Sequence, residues 1–215
     1  MYAWQKLDVS ERRKVLKEWM HKGQPAHDLP HFTDGIAGIF FLTGANYQHQ
    51  PVLGSSNERM GTFTENLLSE VIRADFVLEA FCVLPNHYHL LVEGNDIAAL
   101  RLTLGKLHGR TSRQWNLEDK CTGRKVWFRV FDRIIRSNRQ YYSVLNYIHE
   151  NPVHHGYSLN KNDWPWSSAL EFTNQLGIKQ AQEILLTYPS ADSGIKEPSE
   201  TKESGLQARL WRDRP

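Results

Sequence analysis

Residues 81–94 read FCVLPNHYHLLVEG. The stretch is apolar almost throughout, yet His87 and His89 sit inside it one residue apart. Pro85-Asn86 is a turn signal, so residues 76–93 read as a tight hairpin of two short strands. A strand sends successive side chains to opposite faces. His87 and His89 therefore share one face, and Tyr88 and Leu90 the other. Two imidazoles a few ångströms apart form half of a divalent-metal site. Two satisfied histidines at a strand edge are the structural alternative. His-x-His also occurs in metal-dependent hydrolases and cupin-type barrels, so the pair by itself names no reaction.

The rest of the chain frames that hairpin. GIAGIFFLTGA, residues 35–45, reads as a buried strand. RMGTFTENLLSEVIRA places Phe63, Leu67, Leu68, Val71 and Ile72 at helical spacing. After the hairpin, Asp96 is a plausible N-cap for a helix with Leu100, Leu104 and Leu107 on one face. KVWFRVFDRII reads as a strand, and NRQYYSVLNYIHENP as a helix that should stop before Pro152. DWPWSSALEF reads as an aromatic-rich loop and turn. The order β-α-β-β-α-β-α predicts an α+β fold, an antiparallel sheet with helices packed on it, of the ferredoxin-like kind.

Three segments follow from composition. Residues 1–30 carry a short helix over 8–22, read as an extension before the main domain. Residues 31–178 form that domain. Residues 179–215 are read as a flexible polar tail, because YPSADSGIKEPSETKESG is nearly free of large apolar residues. No apolar run approaches the roughly 20 residues of a membrane span, and the charged N-terminus lacks a signal-peptide centre. Cys82 and Cys121 are the only cysteines and form no C-x-x-C, which argues against a disulfide framework or a cysteine zinc site. A cytoplasmic location without membrane contact is expected.

Net charge is only +2, but it is unevenly spread. From Arg101 to Arg139 there are eleven Lys/Arg against Glu118, Asp119 and Asp132, about +8. Such a segment fits a phosphate-backbone binder as well as a solvated basic face.

A second constellation lies in YYSVLNYIHENPVHHGY, residues 141–157. Residues four apart on a helix share a face, so Tyr147 and Asn151 are neighbours. Asn151 can offer its carbonyl oxygen to a hard cation, with Tyr147 one turn earlier beside it. The structural alternative is a core tyrosine and a C-terminal cap.

Taken together, LPNHYHLLVEG and, about sixty residues later, YIHENPVHHGY resemble the REP-associated tyrosine transposases, a branch of the single-strand transposases named HUH for His-hydrophobic-His. VWFRVFDRIIRSNRQYY before the tyrosine helix and WPWSSALEF after it extend the resemblance over roughly residues 32–175. The resemblance implies the HUH nuclease sandwich, with His87, His89 and Asn151 as metal ligands and Tyr147 as nucleophile. It implies Mg²⁺ or Mn²⁺ as cofactor and a single-stranded DNA hairpin as partner, cleaved and rejoined through a 5′-phosphotyrosine. Tyr141, Tyr142 and Tyr157 are rival tyrosines, but only Tyr147 has the YI-x-x-NP register. The REP-associated branch is expected to use its own tyrosine helix, which favours a monomer over a homodimer.

Under this resemblance the basic residues gain a role. Arg101, Lys106, Arg110 and Arg113 on one helix, and Arg129, Arg133, Arg136 and Arg139 before the tyrosine helix, are candidate DNA contacts. Trp115 and Trp127 are candidates for base stacking or for the core. The rivals are a DNA-binding module on the same fold with a degenerate site, and a metal-dependent hydrolase using the His pair with water. The hydrolase needs a further Asp or Glu converging on the pair.

Overall fold

The computed structural model describes residues 37–195. The expected helix over residues 8–22 and the last part of the expected tail, residues 196–215, lie outside them. Four strands form one antiparallel sheet: β1 (Gly38–Ala45), β2 (Val77–Leu84), β3 (His87–Gly94) and β4 (Phe131–Ile134), in the spatial order β2-β3-β1-β4. That order is the ferredoxin-like one expected from the element sequence.

Helix α1 (Asn57–Arg73) joins β1 to β2, and helix α2 (Ile97–Glu118) joins β3 to β4. Both begin on side-chain caps: Ser56 accepts from the Arg59 N–H and Asp96 from the Ala99 N–H, each satisfying an otherwise orphaned donor. Phe63, Leu67 and Val71 of α1 and Leu100, Leu104, Leu107 and Trp115 of α2 are buried against the sheet. These two helices cover the face of Tyr88, whose ring meets Phe63 and whose hydroxyl lies 3.0 Å from His108 Nε2. Gly44, opposite Tyr88 on β1, makes room for that ring; a Cβ there would lie 2.3 Å from Tyr88 Cε1.

Helix α3 (Asn138–His154) covers the other face, with Val144, Leu145 and Ile148 in the core. The expected stop before Pro152 does not occur. Pro152 gives up its own N–H bond and crowds the carbonyl one turn back, a cost that other contacts of the last turn offset. The turn is held by burial of Asn151 and Pro152 and by the His155 N–H donating to the Asn151 carbonyl at 3.0 Å.

Three further expectations need correction. The strand expected over residues 125–135 is confined to Phe131–Ile134, because one extra residue opposite Gly44 interrupts its ladder with β1. WPWSSALEF is not all loop: helix α4 (Ala169–Leu176) starts inside it. Residues 166–168 before it run along the outer edge of β2, with the Val83 N–H donating to the Trp166 carbonyl at 2.8 Å, and so cover an otherwise open strand edge. Residues 179–195 of the stretch expected as tail are structured. Helix α5 (Ile178–Thr187) buries Ala181 and Ile184, and Asn146 of α3 donates to the carbonyls of Ile184 and Tyr188 at 3.2 and 2.7 Å. Among the described residues no helix is long and apolar enough to cross a membrane.

Candidate active site

The site forms where β3 faces α3. The register pairs His87 with Ala45 and His89 with Thr43 on β1, so both imidazoles leave the same face of the sheet. Their ring centroids are 4.8 Å apart. From α3, one turn apart, Asn151 and Tyr147 reach down onto them. Asn151 Oδ1 lies 3.1 Å from His87 Nε2, and the Tyr147 hydroxyl lies 3.4 Å from His89 Nε2. Two sequence periods, two residues in a strand and about 3.6 in a helix, thus aim four polar side chains at one place. All four are buried, Tyr147 being 8% exposed.

Each histidine is held from behind. Asn86 donates through Nδ2 to the His49 carbonyl at 3.2 Å, which turns its Oδ1 toward His87 Nδ1, 2.7 Å away. In the tautomer with its proton on Nδ1, His87 points the Nε2 lone pair at Asn151 Oδ1, itself an acceptor. Two acceptors meeting in this way are what a cation bound to both satisfies. Thr43 Oγ1 lies 2.8 Å from His89 Nδ1, and Phe41 stacks on that ring at 5.2 Å. Such backing fixes ring orientation and leaves the other nitrogen for a metal.

Two imidazole nitrogens and an amide oxygen are a donor set that could hold a divalent cation. Among the described residues no group of three or more His, Cys, Asp or Glu is placed to hold a metal. A metal on the histidines would take its other ligands from Asn151 and from substrate or solvent oxygen.

The rival tyrosines are engaged elsewhere. Tyr141 donates to Glu79 Oε2 at 2.8 Å, and burial with that carboxylate raises its phenol far above the usual range. Tyr142 stacks on Tyr188, and burial raises its phenol too. Tyr157 packs between His155 and Trp164.

The basic candidates divide. Arg101 pairs with Asp132, Arg110 with Glu70 and Arg139 with Asp192, while Arg133 donates to the carbonyls of Ser193 and Gly194. Lys106, Arg113, Arg129 and Arg136 are exposed. Arg101, Lys106, Arg110 and Arg113 ride on α2, across the sheet from the histidines. Trp115 and Trp127 are core residues, 3% and 7% exposed; Trp127 donates to Thr111 Oγ1 and stacks on His108. They are not base platforms.

Three residues at the site are not among those singled out by sequence. Asn86 and Thr43 show their value only through long-range contacts. His155, whose ring lies 5.1 Å from that of His87, continues the spacing of Tyr147 and Asn151 by another four residues, and that periodicity is a usable signal.

A Haemophilus influenzae protein named provisionally as a REP-associated tyrosine transposase is 36% identical over 103 residues, covering 43% of this chain and 58% of the relative. The REP-associated tyrosine transposase of Escherichia coli K12 is 31% identical over 97 residues, covering 43% of this chain and 54% of the relative. The chain thus spans little more than half the length of these relatives. A solved structure of a REP-associated tyrosine transposase bound to a REP hairpin aligns over 83% of this chain and 96% of its own, with 18% identity and a TM-score of 0.49. The family described as Transposase IS200 like matches residues 42–151. That span is just over half of the chain and runs from β1 to Asn151, through both histidines and the tyrosine; the chain belongs to the IS200-like transposase family.

Proposed function

We propose that this protein cleaves and rejoins single-stranded DNA beside hairpin repeats, with Tyr147 as nucleophile and a divalent metal held by His87, His89 and Asn151. The observation that carries the reading is the convergence of Tyr147 on His89 at 3.4 Å and of Asn151 on His87 at 3.1 Å. Membership of the family, and relatives named as REP-associated tyrosine transposases, support it.

A free tyrosine has a pKa of about 10 and is a weak nucleophile at neutral pH. The bound cation would favour phenolate and polarise the scissile phosphate. The Tyr147 oxygen attacks phosphorus in line, a P–O bond to Tyr147 forms, and the P–O3′ bond breaks. The products are a 5′-phosphotyrosine and a free 3′-OH, which takes up a proton equivalent to the one lost from the phenol. The phosphodiester bond energy is retained in the covalent link, so the same residues can join strands by the reverse step. In this reading the helix that carries Tyr147 serves the histidines of its own chain, with a monomer as the working unit.

A hydrolase that uses the His pair with water needs a converging carboxylate, and among the described residues no Asp or Glu joins the two histidines. A binding module on the same fold would need none of the four residues.

The test is incubation with labelled single-stranded hairpin DNA from repeats flanking the gene. A covalent adduct on a denaturing gel is expected with Mg²⁺ or Mn²⁺ and not with EDTA. Cleavage that leaves no adduct would favour the hydrolase, and salt-sensitive binding without cleavage the binding module.

A further inference from the structure

The face of the sheet that carries the histidines continues past them to an edge that the proposed reaction does not use. On one side of β1, His89 and His87 lie opposite Thr43 and Ala45. On its other side Phe131 lies opposite Thr43, and the Phe128 N–H donates to the Ala45 carbonyl at 2.9 Å. The step from Phe128 to Phe131 is three residues, whereas that from Ala45 to Thr43 is two. The extra residue at Arg129–Val130 acts as a bulge and keeps both phenylalanines on one face. Trp127 identifies that face: its ring stacks on His108 at 4.1 Å on the Tyr88 side, so alternation aims Phe128 to the histidine side.

The two rings are open, Phe131 at 62% and Phe128 at 41% exposure. Tyr47 extends the row, its ring 4.8 Å from that of Phe128, and Lys125 Nζ lies 4.5 Å from the Tyr47 centroid and 5.5 Å from that of Phe128. Arg129, between the two phenylalanines, is exposed. The turn after Tyr47 is strained, with Gln48 and His49 at φ 54° and 52°, a conformation that costs side chains energy. It is tied to the site because the His49 carbonyl receives Asn86 Nδ2, and Asn86 Oδ1 holds His87. Two strand spacings, roughly 10 Å, separate Phe128 from His87.

We infer that Phe131, Phe128 and Tyr47 form a rail on which unpaired nucleobases beside the scissile phosphate stack, with Lys125 and Arg129 against the phosphates between them. The inference rests on the single-stranded DNA reading above and adds the surface that holds the unpaired strand. A row of open aromatic rings on a sheet, flanked by cations, is the chemistry that binds bases by their π-faces and the backbone by its charge. A duplex hides its base faces in the stack, so this edge selects unpaired DNA.

The test uses the full chain and two probes, a fluorescent oligothymidylate and an abasic strand of the same length and charge. Wild type is expected to prefer the oligothymidylate by about tenfold or more, the effect expected of stacking. Phe128→Ala and Phe131→Ala should each lower that ratio and together bring it to about one, while Phe128→Trp, which keeps a ring, should preserve it. Lys125→Gln should weaken both probes alike. A wild-type ratio near one, or a double alanine variant with the wild-type ratio, overturns the rail. If either result accompanies a covalent adduct on the hairpin DNA, only the rail fails, and the edge is left to another occupant such as a second copy or the end of the chain. No binding to either strand and no adduct overturns the functional reading along with it.

Discussion

The hydroxyl oxygen of Tyr147 lies 3.4 Å from Nε2 of His89, across 58 residues of sequence. The contact depends on register. A slip of one residue in β3 would send both histidines to the other face and put Tyr88 under the helix. Tyr88 guards against this: it is fully buried among Phe63, Trp127 and His108, and its ring occupies the space above Gly44. The large residue between the histidines thus locks the strand that presents them.

That lock predicts a cost at Gly44. A methyl group there would collide with Tyr88, so Gly44→Ala should destabilise the fold by about 1–3 kcal/mol, the usual range for an overpacked core. Urea unfolding measures it. An unchanged midpoint would mean that Tyr88 does not hold the register.

The residues behind the histidines should tune metal use without touching substrate. Asn86→Ala and Thr43→Val remove the partners of His87 Nδ1 and His89 Nδ1. Each is expected to raise the Mn²⁺ concentration needed for half-maximal adduct formation by about 10–100-fold, the usual cost of losing such a partner. An unshifted metal titration in both variants would separate these contacts from metal binding.

Acid should loosen the fold through buried histidines. Burial holds His108 and His149 down to about 3 from the ordinary 6.5. The unfolded chain therefore binds more protons between those values. The stability from their neutral burial is complete above about pH 6.5 and is lost as pH falls toward 3, by up to about 1.4 kcal/mol per pH unit for each. Glu79 acts in the opposite sense: burial raises its carboxyl, so its contribution is present below 4.5 and lost as pH rises. His108→Gln, which does not titrate, isolates one term. Its unfolding free energy should fall less steeply than that of wild type between pH 6.5 and 5, and parallel curves would contradict the neutral burial of His108.

The work of one chain on its own DNA has a simple check. If the tyrosine and the histidines serve the same chain, as the proposed monomer requires, mixing His89→Ala with Tyr147→Phe, each expected to be inactive alone, should restore no adduct. Recovered adduct would require exchange of the tyrosine helix between copies.

The parts of the site that rest on local period are legible in the amino-acid sequence alone. His87 and His89 share a face because strands alternate, and Tyr147 and Asn151 share one because helices turn every 3.6 residues. The sheet order follows from the order of elements. What the sequence hides depends on partners far along the chain. Asn86 reaches His49 over 37 residues and Thr43 reaches His89 over 46. The ion pairs of Arg101, Arg110 and Arg139, which offset part of the basic segment's charge at the surface, have partners that charge counting does not supply. Pro152 misleads as a helix stop because packing of the final turn outweighs a local bias. Ala181 and Ile184 are weak signals for a helix that docking on α3 and α4 stabilises.

The central claim is that Tyr147 becomes covalently linked to DNA. Wild type and Tyr147→Phe would be reacted with single-stranded hairpin DNA in Mn²⁺, and the denatured protein digested and its peptides mapped by mass spectrometry. The account predicts a nucleotide on the peptide carrying Tyr147 in wild type and no adduct in the variant. A nucleotide on Tyr141, Tyr142 or Tyr157, or an adduct that survives Tyr147→Phe, would contradict it.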